Sequence, residues 1–337
     1  MNNTAVVANA IRNGSGKYQL VLWRVYDNGV VVRMPDPPGS TGGKATAVQV
    51  TAVGGGLVSA MRDADGELYL ISHGDAFERL ADSANQAGEV GDHHLLMLSA
   101  TRVLTVCVSG SGRLLSIVWE IQPDGSIVRL FDSGANGPAA AGVSSVVVES
   151  TVDSQLVAIL YAGGSSRLVL STWRVDSTSI SFVADSGQSM GAGDLARVIA
   201  APTGHVVVVC RDGSDKLLLI PFEITRDGAA VTRISGADGH AGVIREVAPI
   251  ARPYGLLTAV ISEGGNVLLI KWRVDANGQI VRLGESGTQA WEGSQLSVAA
   301  LSFANQVTVC TALRNGSGDL LPITWDDVDG PGELSVV

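Results

Sequence analysis

An aromatic residue closes an apolar run at nearly even intervals along this chain: Trp23, Trp119, Trp173, Phe222, Trp272 and Trp325, with His73 in the same slot of one further copy. Neighbouring slots lie about 50 residues apart, which makes seven units over 337 residues. Such a period constrains the fold more than any single motif can. One repeat array absorbs a length that would otherwise be divided into two or three domains. Two copies are nearly identical, Ile11-Arg-Asn-Gly-Ser-Gly16 and Leu313-Arg-Asn-Gly-Ser-Gly318. Twelve residues before the aromatic slot stand Ile11, Met61, Cys107, Tyr161, Cys210, Val260 and Leu313, apolar or aromatic every time. Six before it stand Lys17, Glu67, Arg113, Arg167, Lys216, Asn266 and Asp319, a polar column that suits the exit of a turn.

Each full unit reads as four short strands. The first is rich in small residues, as in Ser297-Val-Ala-Ala-Leu301. The second and third are apolar on both faces (Leu256-Leu-Thr-Ala-Val260; Val267-Leu-Leu-Ile-Lys-Trp272), which makes them central. The fourth alternates around Arg33, Arg129, Arg233 or Arg282 and suits an outer edge. Asp124-Gly125, Asp227-Gly228 and Asn277-Gly278 mark hairpins between them. No segment holds a helical period. Four-stranded antiparallel units at this spacing predict an all-β, seven-bladed β-propeller in a single domain over 1–337. Its blades run approximately 1–40, 41–88, 89–138, 139–189, 190–238, 239–289 and 290–337. The strand count comes to 27, one short of seven full blades. The missing strand is the first of the N-terminal blade, which Met1–Thr4 supplies poorly, so that blade is three-stranded or weakly completed. No outer strand is exchanged between the termini.

The Leu/Ile-rich strand ending in Trp-Arg-Val, and the linker Leu-x-Asp/Glu-Ser-Gly, are the signatures of this repeat. In them the chain resembles bacterial seven-bladed propeller repeat proteins along its whole length. That resemblance implies a group holding both lectins with one sugar pocket per blade junction and single-site enzymes. The Asp-rich calcium loop that FG-GAP propellers place in each blade is absent.

Hydrophobic residues are 46% and charged residues 17%, a globular balance, and the net charge of -10 speaks against a phosphate-binding face and hence against nucleic acid. Cys107, Cys210 and Cys310 stand far apart in apolar runs, without CxxC spacing, and read as core residues. The N-terminus lacks a basic region followed by an apolar stretch, and no run approaches the roughly 20 residues of a membrane helix. The expectation is a cytoplasmic protein with no membrane contact; export would need a leaderless route. No cofactor is called for.

Propellers bind ligands at the mouth of the axial channel, on the face where fourth-to-first links meet second-to-third turns. Residues there that break the repeat are the candidates: Asp92, His93, His94, Asp194, Arg197, Arg245 and Glu246 at the starts of first strands, and His240 and Trp291 in linkers. Lys44, Ser144, Ser145 and Gln295 occupy comparable places. Asp92-His93-His94 suits a metal or a general base, but adjacent strand residues face opposite ways, so a metal would need ligands from another blade. A polar rim without chemistry is the plainer reading, and no metal is assigned. Asp194, Arg197, Arg245 and Glu246 read as an anion clamp or as salt bridges between inner strands. Trp291 stacks on a flat ligand or covers a blade junction. His73 packs in place of Trp.

Ligand or partner binding at the channel mouth, lectin-like in kind, is the favoured function, with a small molecule, a glycan or a protein as partner. The alternative is a small-molecule cyclase, isomerase, lyase or hydrolase with one active site of His, Asp and Arg residues in the channel. A multivalent lectin would repeat its site at every junction. These linkers differ from one another, and aromatic content is 5%.

Overall fold

The computed structural model describes residues 3–84, 86–134, 137–151, 153–163, 167–187, 190–286, 293–303, 306–327 and 335–336. Among them are 27 strands and no helix. Every pairing between named strands is antiparallel, in sheets of seven, four, four, eight and four strands. The unit of Trp119 shows the repeat plainly: Val90–Met97, Arg102–Ser109, Leu114–Ile121 and Ile127–Asp132 pair in sequence. Its second strand is buried on both faces for six consecutive residues, while the fourth is only partly covered. Apolar composition on both faces has placed the second and third strands inside, and alternation has placed the fourth outside.

The two larger sheets arise where a linker runs back along the preceding unit. Lys44 pairs with Lys17 and Val243 with Lys216, so Thr41–Val53 and Gly239–Arg252 each begin on the third strand of the unit before. Shorter versions appear as bridges from Glu67 to Glu89, Arg113 to Ala139 and Arg167 to Ala192. In these five units the polar column six before the aromatic is therefore the landing point of the outgoing linker. These contacts put the links on the same face as the second-to-third turns.

The aromatic column carries its own hydrogen-bond rule. Trp119, Trp272 and Trp325 are at most 2% exposed, and each indole N–H donates to a threonine fourteen residues earlier: Thr105, Thr258 and Thr311, all at 2.9 Å. Where the aromatic is Phe222, the earlier position holds Val208, and no donor needs an acceptor. Ile159 stands in the threonine slot of the Trp173 unit, and Trp173 donates to Ser171 instead, at 2.9 Å. His73 does pack in the column, 3% exposed, with Ser59 in the threonine slot. Tyr18, which replaces an aliphatic residue in the neighbouring unit, bridges them: its hydroxyl lies 2.8 Å from Ser59 Oγ and 3.0 Å from His73 Nε2. Burial pushes the Tyr18 phenol up to about 12 and the His73 imidazole down to about 4.

The linker signature is structural as well. Arginines of the fourth strands pair with the acid three residues on, Arg33 with Asp36 at 2.9 Å and Arg79 with Asp82 at 2.6 Å. Serines of the same linkers accept third-strand amides: Leu70 N–H donates to Ser83 at 2.9 Å, and Leu269 N–H to Ser286 at 3.0 Å. All three cysteines are buried and free, and burial pushes each thiol up to about 12.

Closure follows the rule of the interior junctions. A hydroxyl preceding the aromatic slot donates to the third-to-fourth turn of the next unit, Ser72 to the Gly125 carbonyl at 2.6 Å and Thr172 to that of Gly228 at 2.7 Å. Thr324 does the same to Gly29 at 2.8 Å, which seats the Trp325 unit against the Trp23 unit. Val7, Val25, Leu301 and Cys310 form one core cluster across that seam. The outer strand of the Trp325 unit is its own, Ser335–Val336, paired with Trp325 and Asp326. Thr4–Arg12 pairs only with Lys17–Tyr26 among the described strands, so its inner edge has no described partner. Met1 and Asn2 lie outside the described residues.

Candidate functional site

Where the first strands begin, their pairing with the second strand slips. The register shifts between Ala45 and Ala47, Val90 and His93, Asp194 and Arg197, Ile244 and Glu246, and Ser294 and Ser297. Such bulges re-aim the side chains at the starts of the inner strands. Two of them hold a non-glycine residue at positive φ, Leu195 at 51° and Gln295 at 58°. Left-handed backbone at a branched residue such as Leu195 is strained, and its surroundings must hold it there.

Polar residues of the inner strands hold these bulges in place. Gln49 donates to the His93 carbonyl at 2.8 Å and accepts from Leu95 N–H at 2.7 Å. Val143 N–H donates to Asp92 Oδ2 at 3.1 Å. Val198 N–H lies 3.4 Å from Ser144 Oγ. Gln295 and Leu296 donate their N–H groups to the two oxygens of Glu246, at 2.8 and 2.7 Å. In each case a side chain of one inner strand satisfies amides of the next, and Asp92 and Glu246 stitch the ring.

One cavity of about 300 Å³ opens among these inner strands. It is lined by Asp92, Ser144, Tyr161, Asp194, Leu195 and Arg197, with small and aliphatic residues between them. The fold thus brings together three of the expected site residues: Asp92, Asp194 and Arg197. Asp194 is gripped by Arg211 of the second strand, whose Nε donates to Oδ1 at 2.7 Å and whose terminal nitrogen donates to Oδ2. That fork holds the Asp194 carboxyl below the usual carboxylate range. Arg197 is exposed and forms no ion pair among the described residues; its guanidinium reaches only the carbonyl of Ala196, at 3.0 Å. Tyr161 is 6% exposed, and burial raises its phenol. A Cβ at Gly193 would sit tightly against the Arg211 carbonyl, at 3.0 Å, and the Leu168 side chain, at 3.2 Å. Chemically the cavity offers a cation free to donate and an acid fixed in its accepting form. That set can hold a polar ligand.

The other expected residues sit elsewhere. His93 is 1% exposed, and burial drives its imidazole below its ordinary value, with Asp92 and Arg62 nearby. His94, on the opposite face of the strand, is partly covered. His240 is exposed and pairs through its backbone with Leu218 of the preceding unit, out along the linker. Arg245 is exposed and makes no ion pair among the described residues; the bridge from Arg245 or Glu246 to a neighbouring inner strand takes the form of Glu246 on backbone amides. Trp291 lies outside the described residues. No group of three or more His, Cys, Asp or Glu among the described residues is placed to hold a metal ion. Sequence reasoning missed Arg211 and Tyr161. A signal existed: eleven residues before the aromatic slot stands an arginine in four units, Arg12, Arg62, Arg211 and Arg314.

No family model matches the sequence, and no curated protein matches it. Solved structures do. A protein of Bacteroides uniformis described as a candidate 6-phosphogluconolactonase superposes with a TM-score of 0.62 at 13% identity, covering 100% of this chain and 95% of that one. The lectin of Aleuria aurantia, in complex with Fucα1-6GlcNAc, gives 0.54 at 12% identity, covering 87% and 94%. The WD40 domain of SCAP from fission yeast gives 0.53 at 8% identity, covering 96% and 68%. At such identities the likeness carries the fold alone. WD40 arrays are propellers, and the chain has the propeller fold.

Proposed function

We propose that this chain is a seven-bladed propeller, one domain over 1–337, that binds a small polyhydroxyl ligand of monosaccharide size in the cavity between the Trp173 and Phe222 units. The strand groups of three plus six times four support the blade count, with the linker strands accounting for the two larger sheets. The observation that carries the binding reading is the pairing of free Arg197 with Arg211-fixed Asp194 in one recess of about 300 Å³. A sugar hydroxyl donates and accepts at once, so a site for it needs both kinds of partner side by side. Tyr161 and Leu195 add apolar surface for the C–H face of a ring. Two lectins of the same fold, SapL1 and the Aleuria aurantia protein, are solved with α-methyl fucoside and Fucα1-6GlcNAc, which makes glycans the first class to try.

Titration with a panel of neutral methyl glycosides tests this reading. Binding that weakens about tenfold or more in Arg197→Ala, by loss of a hydrogen bond to a charged group, supports it. Absence of binding across the panel, or binding untouched by that substitution, overturns it.

A further inference from the structure

The two Arg-Asn-Gly-Ser-Gly copies, about 300 residues apart in sequence, meet in space. They form the second-to-third turns of the Trp23 and Trp325 units, on either side of the closing seam. Their turns are built alike. Gly16 N–H donates to Asn13 O at 2.8 Å, and Gly318 N–H to Asn315 O at 2.9 Å. Asn13 Oδ1 accepts from Ser15 and Lys17, as Asn315 Oδ1 does from Ser317 and Asp319, all within 2.9 to 3.1 Å. The turn itself is common in this fold, since Asp63 and Asp212 fold under their loops in the same way. The arginine in front of it is what differs in use.

Of the four arginines in that column, two are engaged. Arg62 donates to Thr46 at 2.8 Å and to the Gly91 carbonyl. Arg211 grips Asp194, its cross-strand partner. The residue in register with Arg314 is Ser294, so the carboxylate that engages Arg211 has no counterpart there. Arg12 has no described strand on the inner edge of Thr4–Arg12 to supply one. Neither Arg12 nor Arg314 forms an ion pair or side-chain hydrogen bond among the described residues, and both are exposed.

Both line one cleft of about 490 Å³, with Gln19, Trp23, Gln295 and Arg33. Arg33 is held by Asp36, and Asp319 is the lone carboxylate among the lining residues. Trp23 is half-buried here, whereas Trp119, Trp173, Trp272 and Trp325 are at most 4% exposed. Its threonine slot holds Asn9, and the indole N–H has no partner among the described residues. Two guanidiniums without a partner among the described residues, lining one cleft with a partly exposed indole, make a local positive recess in a protein of net charge -10.

We propose that this seam cleft is a second binding site, for a small molecule that carries an oxyanion, carboxylate or phosphate, on a ring able to lie against Trp23. Arg12 and Arg314 take the anion as paired fork donors. The site is separate from the Arg197 cavity and does not depend on it.

Calorimetry at low salt with glucose 6-phosphate, glucuronate and glucose as probes, run in the Arg197→Ala background so that the first cavity contributes nothing, tests the proposal. Expected is binding of one or both anionic sugars, weakening as salt rises, with none for glucose. The order of the two anions tells phosphate from carboxylate. Arg12→Gln and Arg314→Gln should each weaken it by about tenfold, the loss of one charged hydrogen bond. Ser294→Asp, at a position outside the lining residues, should do the same, because it gives Arg314 the internal partner that Arg211 already has. Arg273→Gln, an exposed arginine of another unit, removes the same charge and should change nothing. Thermal melts establish that each variant folds. No binding of either anion at low salt, equal binding of glucose, or affinity unchanged in Arg12→Gln and Ser294→Asp would overturn the proposal. Retention of anion binding in Arg197→Ala separates this site from the first.

Discussion

At the scale of single residues, the aromatic column shows how a repeat tolerates change only in pairs. Trp119 and Thr105 share one buried hydrogen bond at 2.9 Å. Thr105→Val removes the acceptor and strands a buried indole N–H, at a cost of about 1–3 kcal/mol. The chain itself contains the relaxed version, Phe222 over Val208. Combining Thr105→Val with Trp119→Phe should therefore cost less than the two single changes added together, by about 0.5 kcal/mol or more; urea unfolding of the four proteins measures that coupling. His73 gives a prediction in pH. Its folded value is near 4 against an ordinary 6.5, so between those limits the unfolded chain binds the extra proton. Stability should fall as pH is lowered from 6.5 towards 4. In His73→Phe, where Tyr18 keeps its bond to Ser59, the fall over that window should be shallower, as melting temperatures at stepped pH would show. The packing of His73 in the column was legible from spacing alone. Its partnership with Tyr18 was not, because the two belong to different units and only the fold brings them to 3.0 Å.

Among the elements, the inner strands do the unexpected work. Their polar residues look like a functional set in sequence, since they interrupt a repeat of small apolar residues. Asp92 and Glu246 are instead occupied by amides of the next strand. Period-two reasoning assumes unbroken register, and the bulges at Val90–His93 and Asp194–Arg197 break it at these very residues. Strand order and the shared face of links and turns were readable because apolar patterning and hairpin turns determine them. Which inner-strand acid faces a ligand was not, because that depends on a one-residue slip. Glu246→Ala should lower stability by about 1–2 kcal/mol by orphaning two amides, whereas Arg245→Ala next to it should stay within about 0.5 kcal/mol. Chemical denaturation of the two variants distinguishes a stitch from a rim charge.

For the whole molecule, the repeat made the propeller legible from sequence alone, and the 27 strands among the described residues match the number read there. Ring closure was not legible, since it rests on Thr324 reaching Gly29 and on a core cluster joining Val7 to Cys310. The irregularities gather in two places, a recess around Arg197 and a seam between the first and last units. The proposed function places a single ligand in the first, where Arg197 lies beside the Arg211-fixed Asp194. Native mass spectrometry with the tightest neutral glycoside measures this directly. One ligand per chain, lost in Arg197→Ala and kept in Glu246→Ala, is the predicted result. Several equivalent ligands per chain, unaffected by Arg197→Ala, would contradict it and put the binding at the blade junctions instead.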